Sequence, residues 1–249
     1  MIGTRFPGAF GCAALIAGAL IVSQQRGFAE DAAAKAPQAA PAPAAPAPPV
    51  FSSDPKIAGA QHAVLAFAKA TSLPALKSAL TDRSAGLIGV ITILPMAFLI
   101  ESAPDQLPDP KVAPAIKRDF EAYLQRYGIN AVKTGELNAI PAKVQGHGHE
   151  FLQGLVPFAN RLNGKSPDDT GVETSLQIQA PLPESLDFFK FTTVSPTHVK
   201  VIPQNPKVLQ LPGVETFEAV QEDGVWRVDL GDADKIFGDL KKSMKNASK

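Results

Sequence analysis

Cysteine is almost missing from this chain: Cys12 is the single one among 249 residues. It lies inside the apolar N-terminal stretch, with Ala9-Phe10-Gly11 before it and a further ten mostly apolar residues after it. A lipid-modified cysteine sits behind such a stretch, so its position argues against a lipoprotein. Cleavage downstream of it would leave a mature chain with no disulfide, thiolate nucleophile or cysteine metal site. Net charge is missing too, with 24 basic and 24 acidic side chains. That balance removes the bulk electrostatic case for nucleic acid, which needs a clustered positive field. The glycines at 86, 89, 146 and 148 have no strand-turn-helix context for phosphate, and no serine stands in a nucleophile elbow. No cofactor motif is present.

The first fifty residues carry little charge and much of the proline. Arg5 gives a short basic start, and Phe6 to Val22 is an uncharged, mostly apolar run of 17 residues. Gly27-Phe28-Ala29 closes it with small residues where a signal peptidase needs them. The pattern predicts a signal peptide over 1–29, cleaved between Ala29 and Glu30. A retained anchor is the alternative, since 17 residues lie at the lower edge of spanning length. Residues 30–50 follow as an Ala/Pro-rich linker. Ala32 to Pro49 holds ten alanines and six prolines, which forbids a helix and supplies nothing to bury. In extended polyproline form it would reach roughly 55 Å. Export without disulfides points to the periplasm or envelope of a bacterium.

Residues 51–249 read as a single α+β domain: an N-terminal helical layer, an antiparallel β-meander, then a C-terminal helix. Asp54-Pro55 is a helix start, with Ile57, Ala60, Val64 and Phe67 following at helical spacing, and a second short helix is predicted from Leu73 to Leu80. Ser84 to Ile100 has no charge. It is either a buried core helix or, as an alternative, a membrane-embedded segment; the internal Pro95 and missing basic flanks favour burial. Val112, Ile116, Phe120, Tyr123 and Tyr127 trace one helix face ended by Gly128. A helix from about His149 to Leu162 should kink at Pro157. The period then alternates. Phe189–Val194 and His198–Ile202 predict one hairpin, and Val214–Glu222 and Val225–Leu230 predict a second, turning at Asp223-Gly224. Trp226, Val228 and Leu230 share the inward face of the last strand, leaving Arg227 and Asp229 to solvent. A final helix carries Ile236, Phe237, Leu240 and Met244 inward and ends in a lysine-rich tail, Lys241 to Lys249.

The stretch Glu222-Asp223-Gly224-Val225-Trp226-Arg227-Val228-Asp229-Leu230 resembles the closing hairpin of exported bacterial domains of the nuclear transport factor-like superfamily (ketosteroid isomerase-like, SnoaL-like). Ala63-Val64-Leu65-Ala66-Phe67 resembles their opening helix. The resemblance implies an α+β fold, and in some members a cone-shaped pocket for small-molecule chemistry. Ser84 to Leu162 is longer than that fold usually allows between opening helix and sheet.

Candidate chemistry is sparse. Tyr123 and Tyr127, at i and i+4, could serve as hydrogen-bond donors in an isomerase-type pocket, with His198 a further candidate. As helix tyrosines they serve equally as core or rim residues. His147 and His149, beside Glu150, could approach one metal together, but zinc needs at least three protein ligands; a polar loop running into a helix start accounts for them as well. The function that follows is an exported envelope protein with a non-catalytic binding or structural domain and a cell-envelope or small-molecule partner. The alternative is a small-molecule enzyme with a cone-shaped pocket.

Overall fold

A computed structural model describes residues 49–70, 72–130, 132, 139–167, 185–205, 214–232 and 235–238. The expected signal peptide with its Ala29–Glu30 cleavage site, Cys12, nearly all of the expected linker and the lysine-rich tail lie outside the described residues, as do Leu240 and Met244.

The described chain is a mixed helix and sheet structure with one four-stranded antiparallel sheet. Helix α1 is Pro55–Ala68, and Asp54 caps it by accepting from the Lys56 amide at 2.9 Å. Helix α2 is Leu73–Ala79, capped by Ser72. The uncharged run forms most of α3, Asp82–Ser102, capped by Thr81. This helix is long and apolar enough to cross a membrane, and 67% of its most apolar window is buried inside the domain. It continues through Pro95. Glycine lets α3 meet a later helix closely: the Gly148 position presses on the Asp82 carbonyl and the Gly86 amide, where a Cβ has no room.

Helix α4 is Ala113–Gln125. Ile116, Phe120 and Tyr123 face inward as the spacing predicts. Val112 does not; it belongs to a 3-10 turn, Pro110–Val112, capped by Asp109, and is 37% exposed. Gly128, at φ 69°, ends the segment, and the Ile129 amide returns to the Leu124 carbonyl. A short α5, Ile140–Lys143, precedes α6, Gly148–Gly154, and α7, Val156–Leu162. The single kinked helix expected over 149–162 is thus two helices meeting at Leu155. Proline 157 has no amide to bond back, so the helical ladder breaks one turn ahead of it. Phe151, Leu155, Ala159 and Leu162 are all buried.

Strands β1 (Phe189–Ser195), β2 (His198–Pro203), β3 (Phe217–Glu222) and β4 (Val225–Asp229) pair in sequence order. Asp223 and Gly224 have φ of 53° and 79°, the two left-handed residues of a tight hairpin turn. Alternation sorts the sheet into two faces. Val199, Val201, Phe217, Ala219 and Val228 point into one core continuous with the helices. Lys200, Glu218 and Asp229 form a row across the other face. Leu80 makes a parallel bridge with Val228, closing the β4 edge with the residue just ahead of α3. Residues 235–238 are helical, and Ile236 and Phe237 complete the core.

Candidate functional site

The junction of α3 with β4 is polar and organised. The Thr81 amide donates to the Val228 carbonyl at 3.0 Å, and the Thr81 hydroxyl donates to Asp229 Oδ2 at 3.3 Å. Ser84 Oγ accepts from the Leu230 amide at 2.8 Å. The Asp82 amide donates to the Glu222 carboxylate, which also holds Arg227 Nη1 at 2.9 Å. Two expectations change here. Arg227 is not on a solvated face: its side chain is 20% exposed and ion-paired. Asp229 is likewise engaged, accepting from Thr81 and, through Oδ1, from the Gly231 amide at 2.8 Å. The reason is tertiary, since the start of α3 lies against the end of this hairpin.

Beside this junction, a half-open cavity of about 680 Å³ lies over the outer face of β3 and β4 and is lined in addition by residues 229–232 and Lys235. Arg83 reaches it from α3, His198 from β2, and Glu218 and Val220 from β3. Lys235 and Glu215 line its far side and pair with each other at 3.0 Å. Arg83 and Glu218 have no ion-pair or side-chain hydrogen-bond partner among the described residues. His198 Nδ1 is within 3.1 Å of Ser195 Oγ and 3.0 Å of Thr197 Oγ1. Ser195 ends β1 and Thr197 lies in the turn after it, and when their hydroxyls donate to Nδ1 the neutral ring keeps its proton on Nε2.

The other candidate residues lie elsewhere. Tyr123 is buried in the helical layer, its hydroxyl donating to the Phe151 carbonyl at 2.6 Å. Burial, before any neighbouring charge, drives its ionisation well above the ordinary tyrosine value. Tyr127 packs edge-on against Tyr123 and Phe151. Neither tyrosine lines the cavity. His147 and His149 diverge. His147 is 62% exposed and 3.5 Å from Glu150. His149 is 24% exposed, and its Nε2 lies 2.8 Å from the Leu80 carbonyl, a contact that needs the proton on Nε2. Among the described residues no group of three or more His, Cys, Asp or Glu side chains is placed to hold a metal.

Of the candidates drawn from the sequence, His198 is the one that lines the cavity. Sequence reasoning missed Arg83, Glu218 and Lys235. The outward parity of Glu218 is legible from the strand alternation, but nothing local tells that α3 begins beside β4. Comparison with protein-family models, curated proteins and solved structures finds no match to this chain.

Proposed function

We propose that this is an exported bacterial envelope protein whose domain binds a small ligand or partner without catalysing a reaction, through the cavity at Arg83, His198 and Glu218. The observation that carries the reading is a cavity of ligand size holding two opposite charges that have no partner among the described residues. Catalysis is disfavoured by how the reactive groups are spent. The Tyr123 hydroxyl is committed to a backbone carbonyl, Asp229 is held by two donors, and His198 Nδ1 is held by the Ser195 and Thr197 hydroxyls.

Export rests on the apolar run and the Gly27-Phe28-Ala29 site. The nuclear transport factor-like assignment stays part of this proposal. Its support is the resemblance of Glu222 to Leu230 and of Ala63 to Phe67, two stretches whose elements meet where Trp226 packs against α1.

Two experiments test the proposal. Intact mass of protein recovered from the envelope should correspond to a chain starting at Glu30; a mass retaining residues 1–29 contradicts cleavage. Backbone amide shifts of Thr216, Val220 and His198 should move saturably with some member of a panel of small acids, amines, zwitterions and neutral amides. Pocket amides that stay still across the whole panel contradict small-ligand binding there.

A further inference from the structure

The charges around the cavity sort into spent and unspent. Lys235 and Glu215 neutralise each other, Asp229 is held by Thr81 and Gly231, and Asp232, which also lines the cavity, has an interaction of its own. Among the described residues Arg83 and Glu218 remain, one from the start of α3, which follows the Leu80 bridge to β4, and one from the middle of β3. The two side chains do not come within 4.0 Å of each other. They therefore stand as two separate half-sites.

A simple anion would satisfy Arg83 and be repelled by Glu218 and Asp229. A simple cation would satisfy the carboxylates and be repelled by Arg83. One molecule with both charges a few bonds apart meets each half-site with its opposite. The guanidinium favours a carboxylate through its paired donors. His198 Nε2, which has no partner among the described residues, supplies a second donor on the same cavity. Glu218 accepts from an ammonium. Val220 adds an apolar side chain to the lining, and the volume of about 680 Å³ admits a short peptide.

We infer that the cavity takes a small zwitterion, an amino acid or short unblocked peptide, with its carboxylate on Arg83 and its ammonium on Glu218. The inference rests on the binding reading above and names its ligand class.

Full-length protein is titrated by NMR with the dipeptide Ala-Ala, its amide, its N-acetyl form and a doubly blocked form. Ala-Ala should saturate in the millimolar range, and each single block should weaken it about tenfold. Arg83→Gln should erase the preference for free acid over amide while keeping the preference for the free amine. Glu218→Gln should do the reverse. Both positions are outside the core, and an unchanged melting point shows that each variant is folded. Equal binding of all four probes overturns the zwitterion inference and leaves the binding reading intact. Pocket amides unmoved by every probe and by the wider panel overturn both.

Discussion

The indole of Trp226, on β4, occupies the space that a Cβ on Gly59 of α1 would need. This contact sets how closely the first helix can lie on the last strand. Trp226 is half-buried there, while its face-mates Val228 and Leu230 are fully covered. Trp226→Ala should cost about 2–3 kcal/mol, at or below the lower end for aromatic truncation because part of the ring faces water. Gly59→Ala should also destabilise, by about 1–3 kcal/mol, through overpacking. In the double variant the clash is gone, and alanine at 59 should stabilise the helix by up to about 1 kcal/mol relative to Trp226→Ala alone. Additive losses in urea melts would contradict this coupling.

Arg227 holds Glu222, and Glu222 in turn accepts from the first amide of α3. Arg227→Ala should therefore cost about 1–2 kcal/mol, more than an ordinary surface change. Ser84→Ala strips the partner from the buried Leu230 amide and should cost about 1–3 kcal/mol. Wild-type melting points in either variant would show that the α3–β4 junction is not structural.

Tyr123 fills the gap left at the α6–α7 break. The Leu155 amide turns to the Leu152 carbonyl, and the Phe151 carbonyl is met by the Tyr123 hydroxyl instead. Tyr123→Phe should cost about 1–2 kcal/mol. The sign of its pH effect follows from the raised ionisation. The unfolded chain releases this proton near 10.0 while the folded domain holds it, so stability falls as pH rises past that value. Tyr123→Phe should remove that part of the alkaline loss, as read by denaturant melts on either side of pH 10.0.

Asp119 is held below the ordinary aspartate value of 3.8, chiefly by its hydrogen bond to Arg161 and next by Arg118. A depressed carboxyl contributes above its unfolded pKa and loses that contribution as pH falls through the folded one, so the effect lies in the acid range below 3.8. The group is solvent-exposed, so the readout is its own titration. NMR should place the Asp119 midpoint below 3.8, and Arg161→Gln should move it upward. An unmoved midpoint would assign the shift to Arg118.

Local signals carried the elements well. Asp54-Pro55 starts a helix where it should, Gly128 stops one, and Asp223-Gly224 turns the last hairpin, because caps and left-handed turns are decided within a few residues. Inward parity at Val228 and Leu230 was legible for the same reason. Pro157 announced a kink, whereas the chain separates into two helices there, with the Tyr123 hydroxyl on the Phe151 carbonyl at the break.

The sequence by itself determined the mixed helix and sheet character, the last hairpin and its turn, and the inward parity of Val228 and Leu230. Only the tertiary structure decided what the polar residues do. Arg227 and Asp229 alternate outward like solvated side chains, yet the start of α3 arrives from more than a hundred residues away and engages them. Tyr123 reads as a pocket donor, yet its hydroxyl meets a carbonyl on another helix. Arg83 and Glu218 carry no motif and share a cavity because Leu80 bridges Val228. Backbone preference is local and survives being read residue by residue. Charge pairing acts through space, so the partner of an arginine is fixed only when the chain has closed on itself.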